Sequence, residues 1–154
     1  MNVFLVLNNI RSAYNVGAIL RTAEAAGVKR VFLCGCTPDP KDRFGRKRKD
    51  IAKTALGAEE IVAWEHCDDI RKTITTLKEE GIRVVALEQD ERSVPYTTID
   101  TKKPTAIVLG EEVYGLSQDV LDTCDAVAEI PMRGSKESLN VSVAAGIILF
   151  SLLK

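Results

Sequence analysis

The sequence predicts an α/β fold, a mostly parallel sheet with helices on both faces. Short apolar runs rich in β-branched residues recur between turn signals, and they lack the alternation of a strand exposed on one side. Stretches with helical spacing separate them. Strand and helix therefore alternate, as they do when crossovers join parallel strands.

Val3 to Leu7 is the first such run. Val16, Ile19, Leu20 and Ala23 follow at i, i+3, i+4 and i+7, which predicts a helix with one apolar stripe turned to the sheet. Val31 to Cys34 is the next strand. Asp50 to Ala55 reads as a short helix, Ile61 to Ala63 as a strand, and Asp68 to Glu80 as a helix stopped by Gly81. Arg83 to Leu87, Thr105 to Leu109 and Val127 to Ile130 are the remaining strands, with a short helix after Ser117. The region from Glu88 to Lys103, with Pro95 and Pro104 around polar residues, reads as a connecting loop.

The last helix is apolar on every side, since Val141, Val143, Ala144, Ala145, Ile147, Ile148, Leu149, Phe150, Leu152 and Leu153 leave no polar face. One small sheet covers only one side of such a helix. A homodimer with this helix in the interface is the expected cover. The apolar run from Val141 to Leu153 reaches about 20 Å of a roughly 30 Å hydrocarbon core, so no membrane span is expected.

At 154 residues, 45% hydrophobic and 28% charged, the chain is expected to form one domain with a core of its own. Disorder, collagen-like repeats and a disulfide scaffold do not fit this composition. The first twenty residues hold no basic start followed by an apolar run and a cleavage site, so the expected location is cytoplasmic. Cys34, Cys36, Cys67 and Cys124 make no CxxC pair and His66 is the single histidine, so no metal site is expected and the thiols read as buried or idle.

Charge is unevenly spread. Between Lys41 and Lys53 stand seven basic residues (Lys41, Arg43, Arg46, Lys47, Arg48, Lys49, Lys53) and two acidic ones (Asp42, Asp50), a net of +5 in a chain whose total is −1. A cationic segment thus sits on an acidic body. It reads either as a solvated, mobile loop or as a phosphate-binding segment.

Three segments place Asn, Ser, Arg, Glu and Gly where packing alone does not call for them. Asn9 to Arg21 runs from the first strand into the first helix, at a strand's carboxyl end, where open α/β sheets gather ligands. Taken singly, Ser12 or Asn15 reads as an N-cap and Arg21 as a surface cation. Ile107 to Ser117 is a strand leading into a loop with Gly110 and Gly115 and then a helix; it matches neither GxGxxG nor GxxxxGK[ST], so a dinucleotide site and a P-loop lose support. Ile130 to Gly146 passes through a polar loop in which Ser138, Asn140 and Ser142 alternate with apolar residues at the start of the last helix. A cap needs one of them, so a bound ligand is the reading for the rest.

In order and spacing, these three segments resemble the signature motifs of the SpoU (TrmH) family of RNA ribose 2'-O-methyltransferases in the SPOUT superfamily. The first motif corresponds to Asn9 through Arg21, the second to Leu109 through Ser117, and the third, IPMRGSKESLNVSVAAG, to Ile130 through Gly146. The resemblance covers nearly the whole chain. It implies a parallel sheet whose carboxyl-terminal part forms a deep trefoil knot, a dimer, and S-adenosylmethionine bound in the knot. It also implies adenosyl contacts from Leu109, Gly110, Ile130, Met132 and Leu139. Arg21 is then the catalytic arginine, with Asn15, Glu112, Ser138 and Asn140 around it and the substrate.

The implied reaction is an in-line attack of a ribose 2'-oxygen on a sulfonium methyl, needing no metal. Guanidinium is effectively always protonated in proteins, so Arg21 is expected to stay cationic, bind the target phosphate and stabilise the developing alkoxide. Glu112 has a structural reading, tying the motif loops together. Arg11, Arg43, Arg46, Lys47, Arg48 and Lys49 are the expected RNA contacts. The resemblance spans residues 1–154 as a single methyltransferase domain without an additional RNA-binding domain, which favours a small structured target such as a tRNA loop and leaves an rRNA hairpin open. Four Phe, three Tyr and Trp64 offer few stacking platforms. A non-catalytic RNA-binding protein on this fold would have no need of Arg21 or the polar third motif, and a small-ligand regulator would have no use for the basic window.

Overall fold

The computed structural model describes residues 2–153. Seven strands form one parallel sheet among these residues: β1 (Val3–Asn8), β2 (Arg30–Cys34), β3 (Trp64–Cys67), β4 (Arg83–Leu87), β5 (Val94–Pro95), β6 (Thr105–Leu109) and β7 (Ala126–Glu129), in the order β3-β2-β1-β6-β4-β7-β5. The helices are α1 (Ala13–Ala25), α2 (Lys49–Ala55), α3 (Ile70–Glu79), α4 (Gln118–Thr123) and α5 (Val141–Ser151). No helix of the described residues is long and apolar enough to cross a membrane.

The apolar strands have the composition they do because both faces are covered. Leu5, Leu7, Val31, Leu33, Val85, Ile107 and Leu109 pack under α1, α2 and α5. Their strand neighbours Val6, Phe32, Val84, Ala86, Ala106, Val108 and Val127 point the other way, under α3 and α4. Alternate residues thus fill two cores, which is the period-two consequence of a pleated strand with helices on either side.

Two expectations about the sheet need correction. The strand expected at Ile61 to Ala63 forms instead at Trp64–Cys67, after a 3₁₀ turn at Ala58–Glu60. Ile61 is 70% exposed, so its hydrophobicity misled, while the true strand lies at the sheet edge and exposes Glu65 and His66. The region from Glu88 to Lys103 is not only loop. Val94–Pro95 pairs with β7 as the opposite edge strand, a position where proline's missing N–H costs no ladder bond.

The last helix is half covered. Val141, Ala145, Ile148, Leu149 and Leu152 are buried against the sheet and α1, whereas Val143 is 50% and Phe150 52% exposed on its outer side. Within one chain, therefore, an apolar stripe stays bare. Burial raises the Cys34 thiol to about 12 and the Cys124 thiol to about 11, which keeps both protonated and poor nucleophiles at neutral pH.

Candidate functional site

A parallel sheet brings every strand's carboxyl end to one edge, and two concavities open there. The first, about 280 Å³, follows β4, β6 and β7. Its wall includes Leu109, Gly110, Ile130, Met132 and Leu139, together with Glu112 and Ser138. Glycine is needed in this wall for shape. A Cβ at Gly110 would lie 2.6 Å from the Gly115 carbonyl carbon, and one at Gly115, whose φ is +64°, would strike the Glu88 carboxylate. The two glycines let the loop after β6 fold back on itself and expose its main chain to the cavity.

Side chains from three remote segments meet beside it, through Glu112 of its wall. Ser12 caps α1, its hydroxyl accepting from the Asn15 N–H at 3.1 Å. That frees the Asn15 side chain, which is not a cap. Only 6% exposed, Asn15 donates from Nδ2 to Glu112 Oε1 at 3.0 Å and accepts at Oδ1 from Asn140 Nδ2 at 3.2 Å. Asn140 in turn caps α5, accepting at Oδ1 from the Ser142 N–H at 2.9 Å. One hydrogen-bonded chain, Glu112–Asn15–Asn140, thus ties the three motifs together. Glu112 and Asn140 are solvent-facing at its ends, and Ser138 is exposed on the wall.

Arg21 stands apart from this chain. It is exposed on α1, six residues past Asn15 or about 9 Å along the axis, and it does not line the cavity. Its neighbour Thr22 faces Gly146, so Arg21 lies beside the seam between α1 and α5.

Glu88 is a wall residue that falls within the stretch expected to be a connecting loop. Its carboxylate accepts from the Gln89 N–H at 2.9 Å and the Leu116 N–H at 3.1 Å, and Gln89 Nε2 donates to the Glu137 carbonyl at 2.6 Å. Glu88 thereby joins the end of β4 to the second motif and Gln89 joins it to the third. The available signal was two polar side chains directly after an apolar strand, at the edge where ligands collect.

The cavity is acidic. Glu88, Glu111, Glu112, Glu129 and Glu137 line it, and among the described residues no Lys, Arg or His does. Arg11 reaches it only from outside, its Nε 3.6 Å from Glu111 Oε2. Such a site suits a small, partly apolar ligand that carries positive charge.

The second concavity, about 750 Å³, lies at the ends of β2 and β3 and has the opposite sign: Lys41, Arg43, Arg46, Lys47 and Arg48 line it beside Asp39, Asp42 and His66. The basic segment is exposed to solvent but folded on itself. Lys41 and Lys47 form an antiparallel bridge, and the Asp42 carboxylate accepts from the N–H groups of Phe44 and Arg46 and from Arg46 Nε. Its expected phosphate contacts divide. Arg46 pairs with Asp42, Lys47 with Glu59 at 3.2 Å and Arg48 with Asp50, whereas Lys41, Arg43, Lys49 and Lys53 have no carboxylate in ion-pair range among the described residues.

The model of the SpoU rRNA Methylase family matches residues 2–150. The chain belongs to this family. As a SpoU family member it is 36% identical over 152 residues to the Pseudomonas aeruginosa protein named 23S rRNA (guanosine-2'-O-)-methyltransferase RlmB, covering 99% of this chain and 58% of that one. The chain therefore spans under two thirds of that relative's length. Among solved structures, the AdoMet-bound rRNA methyltransferase from Sinorhizobium meliloti superposes with a TM-score of 0.86 at 30% identity, covering 97% of this chain and 55% of the other. The A. aeolicus TrmH/SpoU tRNA modifying enzyme gives 0.84 at 31% identity, covering 97% and 73%.

Proposed function

We propose that this domain methylates a ribose 2'-hydroxyl in structured RNA, tRNA or rRNA, with S-adenosylmethionine as methyl donor. The observation that carries the reading is the Glu112–Asn15–Asn140 chain, joined through Glu112 to the wall of an acidic cavity that no cation of the described residues lines. Relatives named as RNA 2'-O-methyltransferases, and an AdoMet-bound neighbour of the same fold, supply the class of reaction.

The wall fits the donor. Main-chain groups of Leu109, Gly110, Ile130, Met132 and Leu139 would hold its adenosyl part, on a wall whose close turn at Gly110 and Gly115 leaves no room for a Cβ. The carboxylates favour a cation over a phosphate in this cavity. When bound, S-adenosylmethionine supplies a sulfonium methyl that needs no metal to be transferred.

The chain's own residues then position and deprotonate a hydroxyl. Glu112 holds Asn15, which holds Asn140, so the three motifs keep one arrangement when the RNA arrives. Ser138 presents its hydroxyl to the substrate from the wall. Arg21 stays cationic, grips the target phosphate with its planar fork and stabilises charge building on the 2'-oxygen, while that phosphate or a neighbouring group takes the proton.

The reading includes a homodimer and a trefoil knot. The bare side chains of Val143 and Phe150, at i and i+7 on α5 with the half-buried Ile147 between them, support the dimer, and Arg21 beside the α1–α5 seam would stand at its border. Strand order supports the knot: β7 lies between β4 and β5, inside the arc the chain draws from β4 out to β5 and back to β6. The RNA contacts centre on the basic concavity, with Arg43 as a free charge and Arg46, Lys47 and Arg48 as paired ones on its wall; Lys49 adds a charge at the start of α2 and Arg11 one at the rim of the acidic cavity. A cytoplasmic location accords with an RNA substrate.

Calorimetric titration with S-adenosylmethionine, followed by methyl transfer to total tRNA and rRNA and nucleoside mapping, tests the reading. Donor binding with no 2'-O-methylated nucleoside in either RNA pool would overturn it.

A further inference from the structure

Phe44 is the aromatic side chain that the basic segment leaves in solvent, 66% exposed at the tip of the folded loop. An exposed phenylalanine in a mobile segment would mean little. This one is fixed: its N–H is held by Asp42 at 2.8 Å, the loop is closed by the Arg48 N–H donating to the Pro40 carbonyl at 2.9 Å, and Arg43 and Arg46 lie over its ring at 4.8 and 4.9 Å from the centroid. Arg46 is itself pinned, its Nε donating to Asp42 Oδ2 at 2.9 Å. The result is an exposed aromatic ring with two guanidinium groups close to it, on a hydrogen-bonded loop at the rim of a basic concavity.

Apolar packing does not explain the arrangement, because Phe44 belongs to neither buried core. An apolar protein surface binds it poorly as well, given five cationic side chains around it. Aromatic rings and guanidinium planes beside free cations are the pairing that holds an unpaired nucleobase, the plane taking the base and the charge its phosphate. We propose that Phe44, flanked by Arg43 and Arg46, stacks on an unpaired base of the RNA substrate. This rests on the reading of the domain as an RNA-modifying enzyme and adds the feature it selects, a nucleotide out of the helical stack near the methylated one.

The position of the platform fixes where that base sits. The basic concavity follows β2 and β3, the acidic cavity follows β6, β4 and β7, and β1 lies between them on the same edge. Strands stand about 4.8 Å apart, so the two centres are separated by roughly 15 to 20 Å along the sheet edge. The stacked base is therefore a few nucleotides from the ribose that is methylated, and both belong to one single-stranded loop or bulge.

The test compares the full chain with its Phe44→Leu and Phe44→Trp variants, using a labelled single-stranded RNA of about 12 nucleotides and a duplex of equal length. Phe44→Leu keeps an apolar side chain of similar bulk on an exposed site, so the fold is undisturbed, and unchanged S-adenosylmethionine affinity confirms it. Expected are a loss of about 5- to 100-fold in affinity for the single strand with little change for the duplex, an unchanged salt slope, and recovery in Phe44→Trp. In the Phe44→Trp variant with Trp64→Phe added, the introduced indole is the sole tryptophan, and quenching of its fluorescence by the single strand is the signature of stacking. Single-strand affinity within twofold of the parent in Phe44→Leu, or an equal loss for both RNAs, overturns the proposal. Failure of the methyltransferase reading shows separately, as absent donor binding or absent 2'-O-methylation of RNA by the parent chain.

Discussion

The two concavities share one sheet edge and differ in almost everything else. The cavity after β4, β6 and β7 is lined by five glutamates and, among the described residues, no cation, and its shape depends on contacts between segments far apart in the chain. Asn15 lies 97 residues from Glu112 and 125 from Asn140. The concavity after β2 and β3 is cationic; its loop is bonded around Asp42 between residues two to four apart, and longer contacts, Asp39 with His66 and Lys47 with Glu59, anchor it to the body. An acidic site and a basic one suit two ligands of opposite charge, the cationic methyl donor and the RNA of the proposed function. Changes in the first should therefore damage donor binding and the fold together, and changes in the second should damage RNA binding and leave donor binding intact.

Arg21 gives the largest expected effect. Arg21→Ala should reduce single-turnover methyl transfer by about 10² to 10³, the range for removing one preorganised donor from a developing oxyanion, with S-adenosylmethionine affinity unchanged. Arg21→Lys restores charge without the planar fork and should recover only a small part of the rate. Near-parental turnover and RNA affinity in Arg21→Lys would refute the bidentate role.

Two glycines sharpen the contrast next. Gly115→Ala must accommodate a Cβ against the Glu88 carboxylate at a φ of +64°, and should cost about 1 to 3 kcal/mol of stability together with most donor binding. Gly45 has a similar φ of +76° but meets nothing within 4 Å, so Gly45→Ala should cost only the backbone strain, about 1 kcal/mol, and leave donor binding intact. Thermal unfolding and calorimetry on both variants read the difference. Equal losses of donor affinity would mean that the two regions are not separate.

The same contrast explains what could be read from the sequence. The buried strands and α1 were legible because burial on both faces writes itself as apolar runs and helical spacing. β3 was not, since an edge strand exposes Glu65 and His66, and β5 was not, since two residues ending in Pro95 carry no periodicity. The basic segment was legible as charge, but its ion pairs were not, because Lys47 meets Glu59 through the fold. Asn15, Glu112 and Asn140 were legible only through motif resemblance, as no spacing rule joins residues so far apart. Glu88 escaped even that, its partner Leu116 lying 28 residues on.

Lys47 and Glu59 offer a smaller effect. The Glu59 side chain is 1% exposed, neither oxygen has a hydrogen-bond partner among the described residues, and the Lys47 ammonium at 3.2 Å is its one ion pair there. Lys47→Met would strand a buried carboxylate. Because Lys47 is half exposed, water replaces part of what is lost, and the cost should be about 1 kcal/mol, at the low end for an unsatisfied buried group. Adding Glu59→Gln should return most of it, so a double-mutant cycle in thermal unfolding measures the pair. A cycle with no coupling would make Lys47 an ordinary surface charge and return it to the RNA contacts.

The smallest effect separates the charges inside the basic concavity. Each phosphate contact to single-stranded RNA contributes about 0.7 to the slope of log affinity against log salt, through release of condensed ions. Lys41 and Arg43 have no carboxylate to give up among the described residues, so a phosphate they bind is a net gain of contact. Neutralising both, as Lys41→Gln with Arg43→Gln, should lower the slope by about 1.4. Arg46 and Arg48 are held by Asp42 and Asp50, and binding a phosphate there loosens an existing ion pair. Exposed pairs are weak enough to exchange, but part of the electrostatic gain is returned, and Arg46→Gln with Arg48→Gln should lower the slope by less. Equal slopes for the two double variants would show that the pairs open fully on RNA, and that the loop's internal bonds order it before binding without restricting which of its charges bind.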